Sequence, residues 1–392
     1  MEPNLFTKAE ARRFILLKQG LLGPTRYVGK QGVLDYVRAA GCIQFDPVDV
    51  CGMNADLVLQ ARVKGYRKEH LQELLYKDRL LYDHFDKQMS VIPTEDYPAF
   101  FRNRRHIRQW GRVSETIDAV APKIRDLSAG KESFSTKSFD LGRADWYWGE
   151  TSLSRATLEA MYYSGELLIH HKEGKIRHFA PAENLIPKAL LDAPDPHPDE
   201  ASYHAWRVLR RVGAVGLLWD KGPEAYLMIG GLTAAKRREA FARLLEEGSV
   251  VPASVEGLKD AFYLKTEDLP LATLAKEERR YPKKATLVAP LDAMIWDRNL
   301  IRAIFGFDYV WEIYTPPGKM KYAHYALPLL YGETFVGRVE LRTLRKEDVL
   351  SVKNVWLEDG FKPTQAFQTA LTSCFERFAA FSGLSAVRIE EH

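Results

Sequence analysis

Residues 151 to 182 read TSLSRATLEAMYYSG followed at once by ELLIHH-KEGK-IRHFAPA, and this order constrains the fold more than any other feature. The first stretch predicts a capped helix ending at Gly165. The second predicts two strands around a Lys-Glu-Gly-Lys turn, a hairpin signal. A helix that runs straight into a hairpin with a charged tip has the shape of a winged helix-turn-helix.

The same order is expected elsewhere. FTKAEARRFILLKQGLL predicts a helix with Thr7 as N-cap and Glu10 three residues on, the capping-box pattern. GKQGVLDYVRAAG predicts a second helix closed by Gly41, and CIQFD a strand after it. NADLVLQARV and KEHLQELLYK continue as helices. Later, DEASYHAWRVLRRVG and TAAKRREAFARLLEEGSVV predict two more, with AFYLKTEDL as a returning strand. From about Ala285 the chain turns strand-like in ATLVAPLDAMIWD, YVWEIYTPP, KYAHYALPLLYG, TFVGRVELRTL and VLSVKNVWLED. TQAFQTALTSCFERFAAFSG then predicts a closing helix. The expected fold is α+β: tandem winged helix-turn-helix domains with a C-terminal mostly β region. The units are 1–95, which holds the Gln-Phe-Asp strand, 96–191, 192–284 and 285–392. DAPDPHPDE, at 192–200, reads as the linker between the second and third.

A length of 392 residues suits two to four folded units. Net charge is only +4 on 56 basic and 52 acidic residues, so any basic face is local. FRNRRHIRQWGRV (101–113) is such a candidate, either a solvated helix face or a phosphate-contacting segment. Cys42, Cys51 and Cys374 form no CxxC and suit a reducing compartment. The start lacks a signal-peptide core, and no apolar run reaches membrane-spanning length. A soluble cytoplasmic monomer with no membrane partner is expected.

No Walker loop, HExxH or GxSxG is present. His170 and His171 are adjacent, which suits a hairpin wing better than a metal site, since no neighbouring Cys or carboxylate cluster completes one. No metal or other cofactor is expected. The acidic pairs Asp46/Asp49 and Asp83/Asp86 offer a rival, a divalent-metal nuclease. A second rival is a winged-helix DNA-binding regulator without catalysis. Within CIQFDPVDV, Gln44 and Asp46 lie two apart, so in a strand they share a face, with Phe45 turned to the core. Asp46 precedes Pro47, and Asp-Pro is also an ordinary turn device.

That stretch resembles the catalytic strand of the AlkZ and YcaQ (AlkX) family of bacterial DNA glycosylases. The family carries Gln-Φ-Gln in one branch and Gln-Φ-Asp in the YcaQ branch, Φ being apolar, and Gln44-Phe45-Asp46 matches the latter. RAAGCIQFDPVDVCGMNADLVLQARV, the helix-hairpin block above and PLDAMIWDRNLIRAIFGFDYVWEIYTPPGKMKYAHYALPLLYGETFVGRVELR extend the similarity through most of the chain. Two positions depart from the YcaQ branch: Lys87 stands where a histidine is expected, and Met53 where an arginine is common.

The resemblance implies tandem winged helices around a concave channel for damaged double-stranded DNA, and a nucleoid-associated repair enzyme. It implies removal of N7-alkylated purines and, in the YcaQ branch, unhooking of interstrand crosslinks. Asp46 then acts as electrostatic stabiliser and general base, and Gln44 positions water or the sugar-phosphate. Arg62, Lys87, Trp296, Asp297 and Arg298 stand as substrate or DNA contacts, though Trp296 also reads as core and Asp297-Arg298 as an ordinary ion pair. Lys175 and Arg177 at the wing tip are phosphate contacts. With Asp86 adjoining Lys87 and no apolar pocket evident in HFDKQMS, this lysine is not expected to act as a Schiff-base nucleophile.

Overall fold

Local chemistry sets the helix ends in this computed structural model, which describes residues 4–108, 115–146 and 149–390. Thr7 Oγ1 accepts from the Glu10 amide and Glu10 accepts from the Thr7 amide, so a complete capping box starts the Lys8–Lys18 helix. The Gly29–Ala40 helix stops at Gly41, whose φ of 75° suits glycine alone. It buries Val33, Tyr36, Val37 and Ala40 on one stripe. A Cβ on Gly32 would stand 2.7 Å from the Tyr27 carbonyl carbon, so the close approach of that segment depends on glycine. Ser152 and Asp199 cap the Leu153–Tyr163 and Glu200–Val215 helices.

The strands assemble into several sheets. Ile43–Gln44 pairs antiparallel with Gln88–Pro93, which pairs in turn with Leu81–Asp86. Leu167–Glu173 and Ile176–Pro181 form the expected hairpin. Asn4–Phe6 lies parallel to Val250–Val255, in one sheet with Phe262–Lys265 and Leu218–Trp219. A five-stranded sheet is ordered Ala285–Leu287, Ala326–Tyr331, Thr334–Leu344, Val349–Leu357 and Ala386–Ile389, its last strand parallel to its neighbour. The chain is thus α+β: short strands and helices alternate over the first 80 residues, yet the described strands pair mainly antiparallel rather than in the parallel order of an α/β fold.

Burial joins segments distant in sequence. One core unites Phe6 and Phe14 with Val208 and Val212 of the Glu200–Val215 helix and with Trp296 and Leu300. A second joins Val33, Val37 and Ile43 to Leu327, Val339 and Phe375. Each such apolar side chain contributes about 1.5–3 kcal/mol when buried, so the Gln-Phe-Asp segment is clamped between the N-terminal helices and the C-terminal β region. A third, smaller core holds Ile124, Leu158 and Phe179 around the hairpin.

Two strand-like runs fold otherwise. ATLVAPLDAMIWD gives a strand only over Ala285–Leu287; Asp292 then caps a short 3₁₀ turn, and Asp297 caps the Arg298–Phe305 helix. YVWEIYTPP forms a 3₁₀ turn at Glu312–Tyr314. Asp side chains that bond nearby amides overrode the apolar pattern in the first case.

Candidate active site

The Gln44 segment is fixed by its main chain. Its carbonyl accepts from Asn54 Nδ2 at 2.7 Å, and the Phe45 amide donates to the Met89 carbonyl at 2.7 Å. Asn54 Oδ1 in turn accepts from the Leu291 amide at 3.0 Å, which ties this segment to the Asp292 loop. The strand ends at Gln44. Asp46 lies in the turn beyond it, where Oδ1 accepts from the Val48 amide at 2.8 Å. The turn-forming role of an Asp-Pro pair is therefore present, and it occupies one carboxylate oxygen. The side chain stays half-buried. Gln44 is buried, and its Oε1 has no hydrogen-bond partner among the described residues. A desolvated acceptor left open costs about 1–3 kcal/mol. Two residues before a half-buried carboxylate, it suits an incoming donor.

Phe45 does not turn to the core. It is half-buried, with the Lys172 ammonium 4.2 Å from its ring centre. The period-2 expectation failed because the strand stops one residue earlier. Lys172 also pairs with Asp83 at 2.8 Å, so the second hairpin reaches the Gln-Phe-Asp segment directly.

The first hairpin carries Asp86 and Lys87 at its tip. Asp86 is fully buried and meets Arg207, Arg210 and Arg211 at 2.9, 3.0 and 2.7 Å. Burial alone would raise this carboxyl, yet Arg211, Arg207 and Arg210 hold it well below the usual carboxylate range. Asp83 is held by Tyr76 Oη at 2.7 Å and by Lys172. Three apart in one strand, the two carboxylates face opposite sides. Asp83/Asp86 is thus no metal pair, and the nuclease reading loses it. Lys87 is buried, 5.4 Å from the Trp296 ring centre, with no ion pair among the described residues. Burial, with Arg211 adding repulsion, draws its ammonium down to about 8. That corrects the expectation of an unperturbed lysine: three arginines absorb the Asp86 charge.

The PLDAMIWDR block divides. Trp296 is buried, its Nε1 donates to the Leu291 carbonyl at 3.1 Å, and its ring faces Lys87 and Arg211. Asp297 is buried, caps the following helix and accepts from Trp219 Nε1 at 2.6 Å. Arg298 is half-buried and its charge acts on Lys87. Arg62 is not placed to contact DNA: its side chain is 0% exposed, paired with Asp292 at 2.7 Å. At the second hairpin Lys175 is exposed at the turn, whereas Arg177 is half-buried, 3.7 Å from Glu159. His171 does have a carboxylate neighbour, Glu173, together with His178, and His170 has Glu132 at 3.7 Å.

Two arginines of the basic segment are committed to packing. Arg104 lies 3.9 Å from the Tyr97 ring centre and donates to its carbonyl, and Arg102 pairs with Asp195. Residues 109–113 of the segment lie outside the described residues. Sequence reading overlooked Asn54, Lys172 and the Arg207-Arg210-Arg211 set. The last had a signal: basic residues at i, i+3 and i+4 mark one helix face.

A family model described as DNA glycosylase AlkZ-like matches residues 37–381. Among solved structures, the Streptomyces sahachiroi DNA glycosylase AlkZ is similar at a TM-score of 0.65 and 15% identity, covering 98% of this chain and 100% of that one. At that identity the structural likeness speaks for the fold alone. Among the described residues, no helix is long and apolar enough to cross a membrane.

Proposed function

The chain belongs to the AlkZ-like DNA glycosylase family, and we propose that it hydrolyses the N-glycosidic bond of N7-alkylated purines in duplex DNA, with Gln44 and Asp46 as the catalytic pair. The observation that carries this reading is the buried Gln44 Oε1, without a hydrogen-bond partner among the described residues, two positions before a half-buried carboxylate whose turn engages only Oδ1.

An N7-alkylpurine is cationic, so its base departs as a neutral molecule without a general acid. The sugar becomes oxocarbenium-like as the C1′–N9 bond breaks, and the bonding pair cancels the ring charge. Water then bonds to C1′ and gives its proton to Asp46. Asp46 opposes the developing sugar charge and serves as base, and related carboxylate logic governs glycoside hydrolysis. Oδ1 is pinned by the Val48 amide, which leaves Oδ2 for the water. Gln44 Oε1 accepts a hydrogen bond from the same water. Lys87, buried against Trp296, and half-buried Arg298 supply positive charge for a phosphate, and Lys175 contacts phosphate from the second hairpin.

The enzyme is monofunctional in this reading, because water and not Lys87 displaces the base. Crosslink unhooking is the same reaction on a larger base, and it fits winged helices around an open channel better than a tight flipping pocket. Single-turnover assay on duplex containing N7-methylguanine, with and without chelator, tests the reading. Release of free N7-methylguanine that chelator leaves unchanged is expected. DNA binding without base release favours a regulator, and chelator-sensitive backbone cleavage a nuclease.

A further inference from the structure

The second hairpin carries a side-chain cluster that base release does not use. His178 sits across the strands from His171, their rings stacked with centres 4.3 Å apart and planes 17° apart. Glu173, two residues after His171, shares its face. Its carboxylate oxygens stand 3.6 Å from His171 Nε2 and 3.4 Å from His178 Nε2. One donor atom from each of the three residues lies within 4.8 Å of the others. Those separations are long for a hydrogen bond. They suit two ligands on one edge of a tetrahedron, which are about 3.4 Å apart when metal bonds are about 2.0–2.1 Å.

The surroundings set the tautomers. His170 Nδ1 and His171 Nδ1 are 2.8 Å apart, so one of them carries the shared proton. Glu132, 3.7 Å from His170 Nε2, favours the proton on that nitrogen. His171 Nδ1–H therefore donates to His170 Nδ1, which leaves the lone pair of His171 Nε2 directed at Glu173. An outer partner that fixes ring orientation and tautomer is the usual support of a metal-bound histidine. Two adjacent cations are engaged elsewhere: Lys172 with Asp83, and Arg177 with Glu159.

We propose that His171, Glu173 and His178 bind a divalent transition metal of the zinc class, with a fourth position open to water. Imidazole with carboxylate suits zinc, cobalt or nickel over magnesium or calcium, which prefer oxygen ligands alone. The metal would join both strands of the hairpin beside its turn. The site lies apart from the proposed hydrolytic pair in sequence and role, and its binding is measurable without any DNA.

The test titrates full-length, chelator-stripped protein with Co²⁺ and then Zn²⁺, following visible absorption and calorimetry. One equivalent of Co²⁺, displaced by Zn²⁺, is expected. Glu173→Gln and His178→Gln should each weaken binding tenfold or more, and His170→Ala, through orientation, by about tenfold. Glu173 is exposed near the turn, so its substitution leaves the fold intact, as circular dichroism would verify. Absence of stoichiometric uptake by the parent, or equal uptake by Glu173→Gln and His178→Gln, overturns the proposal.

Discussion

The Lys87 ammonium stands 5.4 Å from the Trp296 ring centre, buried and with no ion pair among the described residues. Cations are rarely buried without an opposing charge. An arriving phosphate would supply one. Because Lys87 titrates near 8, free enzyme above that pH carries a neutral amine there. Duplex affinity should therefore fall several-fold between pH 7 and pH 9, as binding comes to require proton uptake. Lys87→Arg, always charged, should flatten that profile. Fluorescence anisotropy on an undamaged duplex across the range reads it, and an equal slope in the arginine variant would remove Lys87 from the DNA surface.

The same lowered pKa makes Lys87 the amine to watch for covalent chemistry. Water displacement predicts that borohydride added during turnover traps no protein–DNA adduct. An adduct that disappears in Lys87→Ala would replace this mechanism with a Schiff-base route and strand nicking.

Asp86 governs stability rather than chemistry. Asp86→Asn leaves Arg207, Arg210 and Arg211 buried around a neutral amide. Breaking such a buried cluster costs about 3–5 kcal/mol, to be read as a lower urea midpoint. The sign with pH follows from its lowered carboxyl: the contribution is present above the unfolded value near 4 and is lost as pH falls below it. Acid titration of the parent should show this loss, and the Asn variant should show less of it.

Legibility in the sequence followed the range of the interaction. Thr7 with Glu10, Gly41, and the turn at Gly174 and Lys175 are local devices, and each was readable from neighbours. The Gln44–Phe45–Asp46 segment was readable as chemistry only through resemblance, because Asp-Pro is common in turns and Asp46 does form one. What period could not supply was the end of the strand, which set Phe45 beneath Lys172. Arg62 looked like a DNA contact because its partner, Asp292, lies 230 residues away. Lys87 looked unperturbed because the arginines around Asp86 come from a helix more than a hundred residues on. Long-range charge pairing leaves no local pattern.

The decisive variant is Asp46→Asn. Asparagine is a good turn former and can still accept from the Val48 amide, so fold and DNA affinity should persist. It lacks the charge that opposes an oxocarbenium-like sugar and is no base for water. Loss of a preorganised electrostatic group of this kind costs on the order of a hundredfold or more in rate. Gln44→Ala should cost less, since it removes the open Oε1 acceptor but leaves the carboxylate in place. Were Asp46 only a turn residue, the Asn enzyme would release base at nearly the parental rate. Single-turnover release of N7-methylguanine by both variants, with circular dichroism to verify folding, separates the alternatives: an Asp46→Asn enzyme within a few-fold of the parent would sink the catalytic assignment.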